Sequence, residues 1–178
     1  NASWNAHKRS SSIPNSLKIS LIAISASAIF TLAILVLSGS VKFIPSQIVP
    51  ITGMIAGNAM TTIGLCYRNL NSLFRDQRQQ ILEKLSLGAT PNQASRTILR
   101  ETIKSGMQPS LDSAKTVGIV SLPGMMSGLM FAGTVPMTAI MYQIMVTFML
   151  VAATSISSYI ASFLAYREFY NDRQQLRV

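Results

Sequence analysis

Four long apolar runs alternate with polar connections along the chain. They cover about residues 19–41, 48–67, 116–132 and 137–166, and the first run carries no charged side chain. A helix needs about 17–25 mostly apolar residues to cross the hydrocarbon core of a bilayer. The pattern therefore predicts an all-α fold, a polytopic helical membrane protein with four transmembrane helices.

The polar segment 68–104 predicts two helices separated by a tight turn. Gly88 fits the end of the first helix, where a left-handed residue is common. Thr90, Pro91 and Gln93 fit the N-cap, the first helical position and the capping-box partner of a second helix. Apolar residues recur every three or four positions before the turn, which gives that helix one apolar face: Leu70, Leu73, Phe74, Ile81 and Leu85.

Two interpretations of this segment are open. It is either a simple connection between two spans or a stiff helical elbow that serves as a docking surface. Connections between neighbouring helices of a bundle need about 2–8 residues, and residues 68–104 exceed that length several times. The length favours the docking surface.

Charge sets the predicted orientation. The chain has 15 Lys and Arg against 6 Asp and Glu, a net charge of +9, and only 12% charged residues, about half the usual share. Lys and Arg concentrate before residue 19, in 68–104 and after residue 166, whereas the opposite connections contain only Lys42, with Lys115 at a membrane boundary. The positive-inside rule places both termini and 68–104 in the cytoplasm, so the basic charge does not indicate nucleic-acid binding.

The residues that usually carry catalysis or metal binding are scarce. Cys66 and His7 are the single cysteine and histidine, and no phosphate-binding Gly-x-x-x-x-Gly-Lys motif is present. We therefore expect no cofactor and no enzyme activity, and Cys66 is interpreted as a packing residue. The sequence begins at Asn1 without a signal peptide, and we expect it to be N-terminally truncated.

Several polar or irregular positions are candidates for a transport pathway. Asp112 and Lys115 stand three residues apart, so they can pair, and a boundary ion pair and a transport role are both open. A proline in a span frees a backbone carbonyl, which favours Pro123. The other candidates flank Pro123 or begin the fourth run: Gly124, Met125, Met126, Tyr142 and Gln143.

Two repeated patterns favour packing over chemistry. Gly53 and Gly57, and again Gly124 and Gly128, form Gly-x-x-x-Gly, which lets helix backbones approach closely. Methionines recur at every fourth position from Met137 to Met149. Thioethers are ligands for copper(I), but flexible filling of a helix interface is the preferred interpretation. The metal ligands are unknown.

Three stretches resemble the FetB-type ABC transporter permeases, which include bacterial iron-export permeases and plant aluminium-sensitivity and aluminium-tolerance membrane proteins. They are "IPSQIVPITGMIAGNAMTTIGL", "LSLGATPNQASRTILRETI" and "DSAKTVGIVSLPGMMSGLMFAGTVPMTAIMYQIMV", and the resemblance runs from roughly Pro45 to Tyr166. The resemblance implies that residues 1–178 are part of a permease domain in a bacterial inner membrane. It implies a membrane lipid environment, a homodimer and a separate cytosolic ABC ATPase subunit. The implied ATPase-coupling residues are Glu83, Leu87, Gly88, Ala89, Thr90, Gln93 and Ala94.

The resemblance implies export of iron or another metal ion. Two alternatives remain open: a permease for a small organic solute, and a non-transporting membrane protein that anchors or regulates a cytosolic partner.

Overall fold

The computed structural model describes residues 16–39, 44–117, 124–171 and 175–176. Apart from one isolated bridge between Tyr170 and Leu176, these residues form helices and the turns between them. The helices are α1 (Ser16–Leu37), α2 (Pro45–Asp76), α3 (Arg78–Ser86), α4 (Pro91–Thr116), α5 (Gly124–Phe131) and α6 (Pro136–Ala165), followed by a 3₁₀ turn at Tyr166–Phe169.

Three segments of the described chain are long and apolar enough to cross a membrane. They are Ser16–Leu37, Ile48–Asp76 and Pro136–Phe169, which confirms helices at the first, second and fourth apolar runs. At the third run, the described residues do not form one continuous helix: α4 ends at Thr116 and α5 begins at Gly124. Residues 118–123, including Pro123, lie outside the described residues, so the span at the third run, 116–132, stays a prediction.

Helix α1 buries its small polar side chains and exposes its large apolar ones. The buried positions recur at helical spacing: Ser16, Ile19, Ser20, Ala23, Ser27, Thr31 and Leu35. The exposed face carries Leu21, Ile22, Ile29, Phe30 and Ile34. Small residues let helices approach closely in a membrane, where lipid is as apolar as a leucine side chain. This distribution fits a helix surrounded partly by lipid.

Helix α6 is the centre of the bundle and contacts α1, α2, α4 and α5. Its buried face is also built largely from small residues, including Ala153, Thr154, Ser157, Ser158 and Ala161. Most of its hydroxyls are satisfied locally; for example, Ser157 donates to the carbonyl of Thr154 at 3.1 Å. Bonding within the helix satisfies most of these hydroxyls without a partner on the next helix, whereas Gln143 Oε1 and Ser162 Oγ are buried without a partner among the described residues.

Helix α4 extends beyond the predicted polar segment. It continues from Pro91 through Pro109 to Thr116 and packs against both α2 and α6. It approaches α2 closely at Gly106, where an added Cβ would meet Cys66 Sγ. The second half of α4 therefore lies beside the long helices, and Cys66 is a buried packing residue, as predicted.

The two repeated patterns do not have the predicted role within the described chain. A Cβ added at Gly53, Gly57, Gly124 or Gly128 would meet nothing within 4 Å. No described helix backbone is packed closely against these glycines. The methionines also do not share one interface: Met137 and Met141 are 69% and 67% exposed, whereas Met149 is buried. A four-residue step drifts around a helix of 3.6 residues per turn, so the row leaves the interface.

Candidate functional site: the turn at Gly88 and a polar cavity

The turn between α3 and α4 has the local chemistry that the sequence predicts. Gly88 has φ of +87°, in the left-handed region. The Gln93 backbone N–H donates to Thr90 Oγ1 at 3.4 Å, and the Thr90 N–H donates to Gln93 Oε1 at 3.0 Å. Pro91 occupies the first helical position. The capping box and the glycine together define where one helix stops and the next begins.

The residues around this turn differ in accessibility. Leu87 is 87% exposed, although it is a large apolar side chain. Glu83, Gly88 and Thr90 are also exposed, and Ala89 is half-buried. Ala94, by contrast, is buried in the core, so it supports the turn from behind and presents no surface to a partner.

An aromatic cluster packs against α2 and the start of α4. Phe74 and Phe169 stack with centroids 4.4 Å apart and planes 3° apart. Tyr170 meets Phe74 edge-on at 6.1 Å and Tyr166 at 6.5 Å. The Tyr170 hydroxyl shares a 2.6 Å hydrogen bond with Ser95 Oγ. The cluster thus joins the end of α6 to the residue that follows Ala94.

Burial raises the pKa of the Tyr170 phenol, and its hydrogen bond with Ser95 partly offsets that rise. A raised pKa keeps the phenol neutral and able to donate at physiological pH. The hydrogen bond between the C-terminal segment and α4 therefore persists across that range.

A cavity of about 390 Å³ lies between α2, α4 and α6. Leu65, Pro109, Val117 and Leu150 supply apolar lining. The polar lining consists of amides and hydroxyls: Asn58, Thr61, Thr62, Ser110, Ser113, Thr116, Gln143 and Thr147. A pocket with an apolar wall and convergent polar groups is the usual form of a small-molecule site.

Gln143 is the most constrained polar residue of the cavity. It is 8% exposed. Its Nε2 donates to Thr147 Oγ1 at 3.3 Å, but its Oε1 is buried and has no partner among the described residues. A buried acceptor without a partner costs about 1–3 kcal/mol, so this oxygen is a natural point of attachment for a ligand.

The other predicted pathway residues lie elsewhere. The Asp112 carboxylate accepts a hydrogen bond from Gln108 at 2.8 Å and lies 3.9 Å from the Lys115 ammonium, so the two charged residues pair as predicted. Both side chains are exposed, and neither lines the cavity, although Ser113 and Thr116 beside them do. Tyr142 is 43% exposed and also does not line it.

The candidates from the third apolar run likewise lie away from the cavity lining. Gly124 is exposed, Met126 is half-buried, and Met125 packs against a separate apolar cluster around Ile55 and Val146. Pro123 lies outside the described residues. Of the predicted pathway residues that are described, the structure places Gln143 alone in the cavity lining.

Sequence reasoning missed the polar residues of α2 and α4 that face Gln143. The available signal was helical spacing inside an apolar run. One side of α2 carries Asn58, Thr61, Thr62 and Leu65. Steps of three residues join Asn58 to Thr61 and Thr62 to Leu65, and this spacing places side chains on the same side of a helix. Gln143 and Thr147 repeat the same spacing on α6.

Residues 1–170 match the model of a family described as "Uncharacterised protein family (UPF0014)". The chain is 60% identical over its full length to the "Probable iron export permease protein FetB" of Escherichia coli (strain K12), and covers 69% of that protein. It is 37% identical over 98% of its length to the "UPF0014 membrane protein STAR2" of Oryza sativa subsp. japonica, covering 61% of it.

The "Protein ALUMINUM SENSITIVE 3" of Arabidopsis thaliana is 35% identical over 99% of the chain, which covers 64% of that protein. The chain therefore spans between about three fifths and seven tenths of the length of these three relatives. No solved structure matches the chain.

Proposed function

The chain belongs to the uncharacterised protein family UPF0014, and on that premise we propose that it forms the membrane part of an ABC exporter for iron or another metal ion. The observation that carries this proposal is the 60% identity, over the whole chain, to a protein named as a probable iron export permease. The chain is an integral membrane permease with three segments able to cross a bilayer. We assign it to a bacterial inner membrane.

The proposed arrangement has four spans with both ends of the chain in the cytoplasm. The third of these spans would comprise the 116–132 run, in which Gly124–Phe131 is helical. Arg75, Arg78, Lys84, Arg96 and Arg100 surround the α3–α4 turn, and this concentration of positive charge supports a cytoplasmic position for it.

A separate cytosolic ATPase subunit would dock on the cytoplasmic elbow, residues 83–94. Leu87 supports this assignment because a leucine that is 87% exposed at the tip of a charged segment is suited to enter an apolar pocket of a partner. The capping box and Gly88 fix the direction in which Leu87 projects.

Movement of the ATPase would reach the spans through two described connections. Helix α4 runs without interruption from the elbow to Thr116 beside the cavity. The aromatic cluster holds the start of α4 to the end of α6 through the bond between Ser95 and Tyr170. Two copies of the permease would combine with two ATPase subunits.

Leu87→Glu tests the coupling assignment. The side chain is exposed and Leu87 has an ordinary φ of −81°, so the variant should fold and insert normally. A carboxylate in an apolar pocket is strongly unfavourable, so the ATPase should be lost from a detergent pull-down and export should fall to background. Leu82→Glu is the matched control, since Leu82 is a partly exposed leucine on the body of α3.

Equal retention of the ATPase by both variants would remove the elbow from the interface. The cargo is tested separately by reconstituting the full-length pair and measuring ATP hydrolysis with and without metal ions. Stimulation by metal supports the exporter of a metal ion, whereas stimulation by an organic solute supports the first alternative. Absence of any transport despite ATPase binding would favour a membrane anchor or regulator.

A further inference from the structure

We propose that the polar cavity binds uncharged organic groups that carry hydroxyls, and that it rejects bare multivalent metal cations. Such groups belong either to a free hydroxylated solute or to a metal ion whose charge is neutralised by hydroxyl-bearing organic ligands. This inference rests on the proposed export function and narrows its cargo. If the cargo is a metal ion, it would then travel as a complex.

The first argument is the charge of the lining. Its polar side chains are neutral amides and hydroxyls, and no Asp, Glu, His or Cys is among the described residues that line it. Within the part of the chain that the structure describes, no group of three or more such residues is placed to hold a metal ion. Multivalent cations in proteins are usually held by carboxylates, thiolates or imidazoles. Neutral hydroxyls do not compensate the loss of hydration of such an ion.

The nearest ionised pair does not change this conclusion. Asp112 lies close in sequence to the lining residues Ser113 and Ser110, but Lys115 stands 3.9 Å from its carboxylate and Gln108 also donates to it. The pair has no net charge, and both side chains are more than half exposed. The cavity therefore lacks the negative potential that would attract a bare cation.

The second argument is the buried carboxamide oxygen of Gln143. Its Oε1 accepts no hydrogen bond from the described residues, while Nε2 is already engaged with Thr147. The oxygen is buried but belongs to a residue of the cavity lining, so a ligand hydroxyl would donate to it once the Gln143 carboxamide turns toward the cavity. A bare metal cation could contact the oxygen, but it would find no anionic ligand beside it.

The third argument is the combination of wall types. Leu65, Pro109 and Leu150 present carbon atoms, whereas Asn58 and Ser110 present hydrogen-bonding groups. A hydroxylated organic ring or chain has both kinds of surface, and small-molecule pockets of about 300–1,000 Å³ show the same mixture.

The test measures binding to the full-length permease, purified without the ATPase, in detergent. Three probes separate the sources: glucose as a free hydroxylated solute; the electrically neutral iron(III) complex of three kojic acid ligands, which keeps free hydroxymethyl groups; and Mn²⁺ alone. Bound ligand is read from the shift in thermal stability, and bound Mn²⁺ also from its electron paramagnetic resonance signal. We expect glucose or the iron complex to bind and Mn²⁺ alone not to bind.

Gln143→Leu removes the free oxygen and keeps a side chain of similar size. It should weaken binding of the neutral probe by about three- to tenfold, the effect of losing one hydrogen bond. Tyr142→Leu is the matched control, because it changes the adjacent exposed residue of the same helix and leaves the cavity lining intact.

Thr147→Val provides an independent variant should Gln143→Leu fail to fold. Binding of glucose alone identifies a free solute, and binding of the iron complex alone identifies a neutralised metal. The inference is overturned if Mn²⁺ alone binds in a Gln143-dependent way, or if neither neutral probe responds to the cavity variants. Because no ATPase is present, these outcomes are separate from a failure of the elbow assignment.

Discussion

Gly106 offers a direct test of the packing between α4 and the long helices. A Cβ at this position would overlap Cys66 Sγ and would lie 3.6 Å from both Ser158 Cβ and Thr62 Cγ2. These contacts come from α2 and α6, so three helices meet at one glycine. Gly106→Ala therefore adds one methyl group at a point where the described helices leave no room for it.

The size of the effect follows from two opposing terms. Forcing an extra carbon into a filled site costs about 1–3 kcal/mol, and Cys66 is fully buried, which restricts its movement. Replacing glycine by alanine within a helix gains about 1 kcal/mol. The net destabilisation should be about 0–2 kcal/mol, a range too close to zero to be decisive alone.

A second substitution isolates the steric term. In a Cys66→Ala background the sulfur is absent, so Gly106→Ala should become stabilising by about 1 kcal/mol, the propensity term alone. The interaction energy of the double-mutant cycle then equals the steric cost, about 1–3 kcal/mol. Gly57→Ala is the control, because its added Cβ meets nothing within 4 Å and its effect should not depend on Cys66.

The assay is reversible unfolding by dodecyl sulfate in mixed micelles, followed by circular dichroism, for the original protein and the single and double variants. Destabilisation by Gly106→Ala that is the same with and without Cys66 would refute the argument. Such a result would mean that α4 does not contact α2 at this level. The cavity between α2, α4 and α6 would then lose one of its walls.

Three further predictions concern the elbow, its connection to α6 and the membrane topology. Gly88→Ala should cost about 1–2 kcal/mol because Gly88 has φ of +87°, whereas Gly88→Asn, measured in the same unfolding assay, should cost less because asparagine tolerates this conformation. Because burial raises the pKa of Tyr170 in the folded protein, its neutral phenol contributes to the free energy of unfolding. This contribution is fully present below the pKa of an unfolded tyrosine, about 10, and is lost as the pH rises through the folded-state pKa. Tyr170→Phe should therefore make unfolding less pH-dependent in this alkaline window, and an unchanged slope would contradict the burial of the phenol. In intact cells, an impermeant thiol reagent should label the protein with Thr134→Cys and spare that with Asn92→Cys, and labelling at 92 would reverse the proposed topology.

Local chemistry explains which parts of this fold were predictable. The stop at Gly88 and the restart at Thr90 depend on backbone conformation and on bonds between residues three positions apart. Such information is present in a short stretch of sequence. The apolar face of 68–86 was predicted for the same reason, and Leu70, Phe74 and Ile81 are buried as expected.

Contacts between helices were less predictable, because in a membrane the buried side of a helix is not its most hydrophobic side. In α1 the buried face contains Ser20 and Ser27, whereas Phe30 and Ile34 are exposed. The Gly-x-x-x-Gly rule identified Gly53 and Gly57 as a close contact, but the close contact in the described chain is a lone glycine, Gly106. Spacing shows which residues share a face, and it does not show which helix that face meets.

The cavity illustrates the same limit for function. Each helix contributes a polar face that is visible in its own sequence, such as Asn58 and Thr61 on α2 or Gln143 and Thr147 on α6. Only the packing of α4 against both of them gathers these faces into one site, where Gln143 Oε1 is buried without a described partner. An uncharged polar face inside a span is costly to expose to lipid. Such a face therefore needs a neighbouring helix or a ligand against it, whereas Asp112 and Lys115 at the membrane boundary are more than half exposed and can be solvated by water.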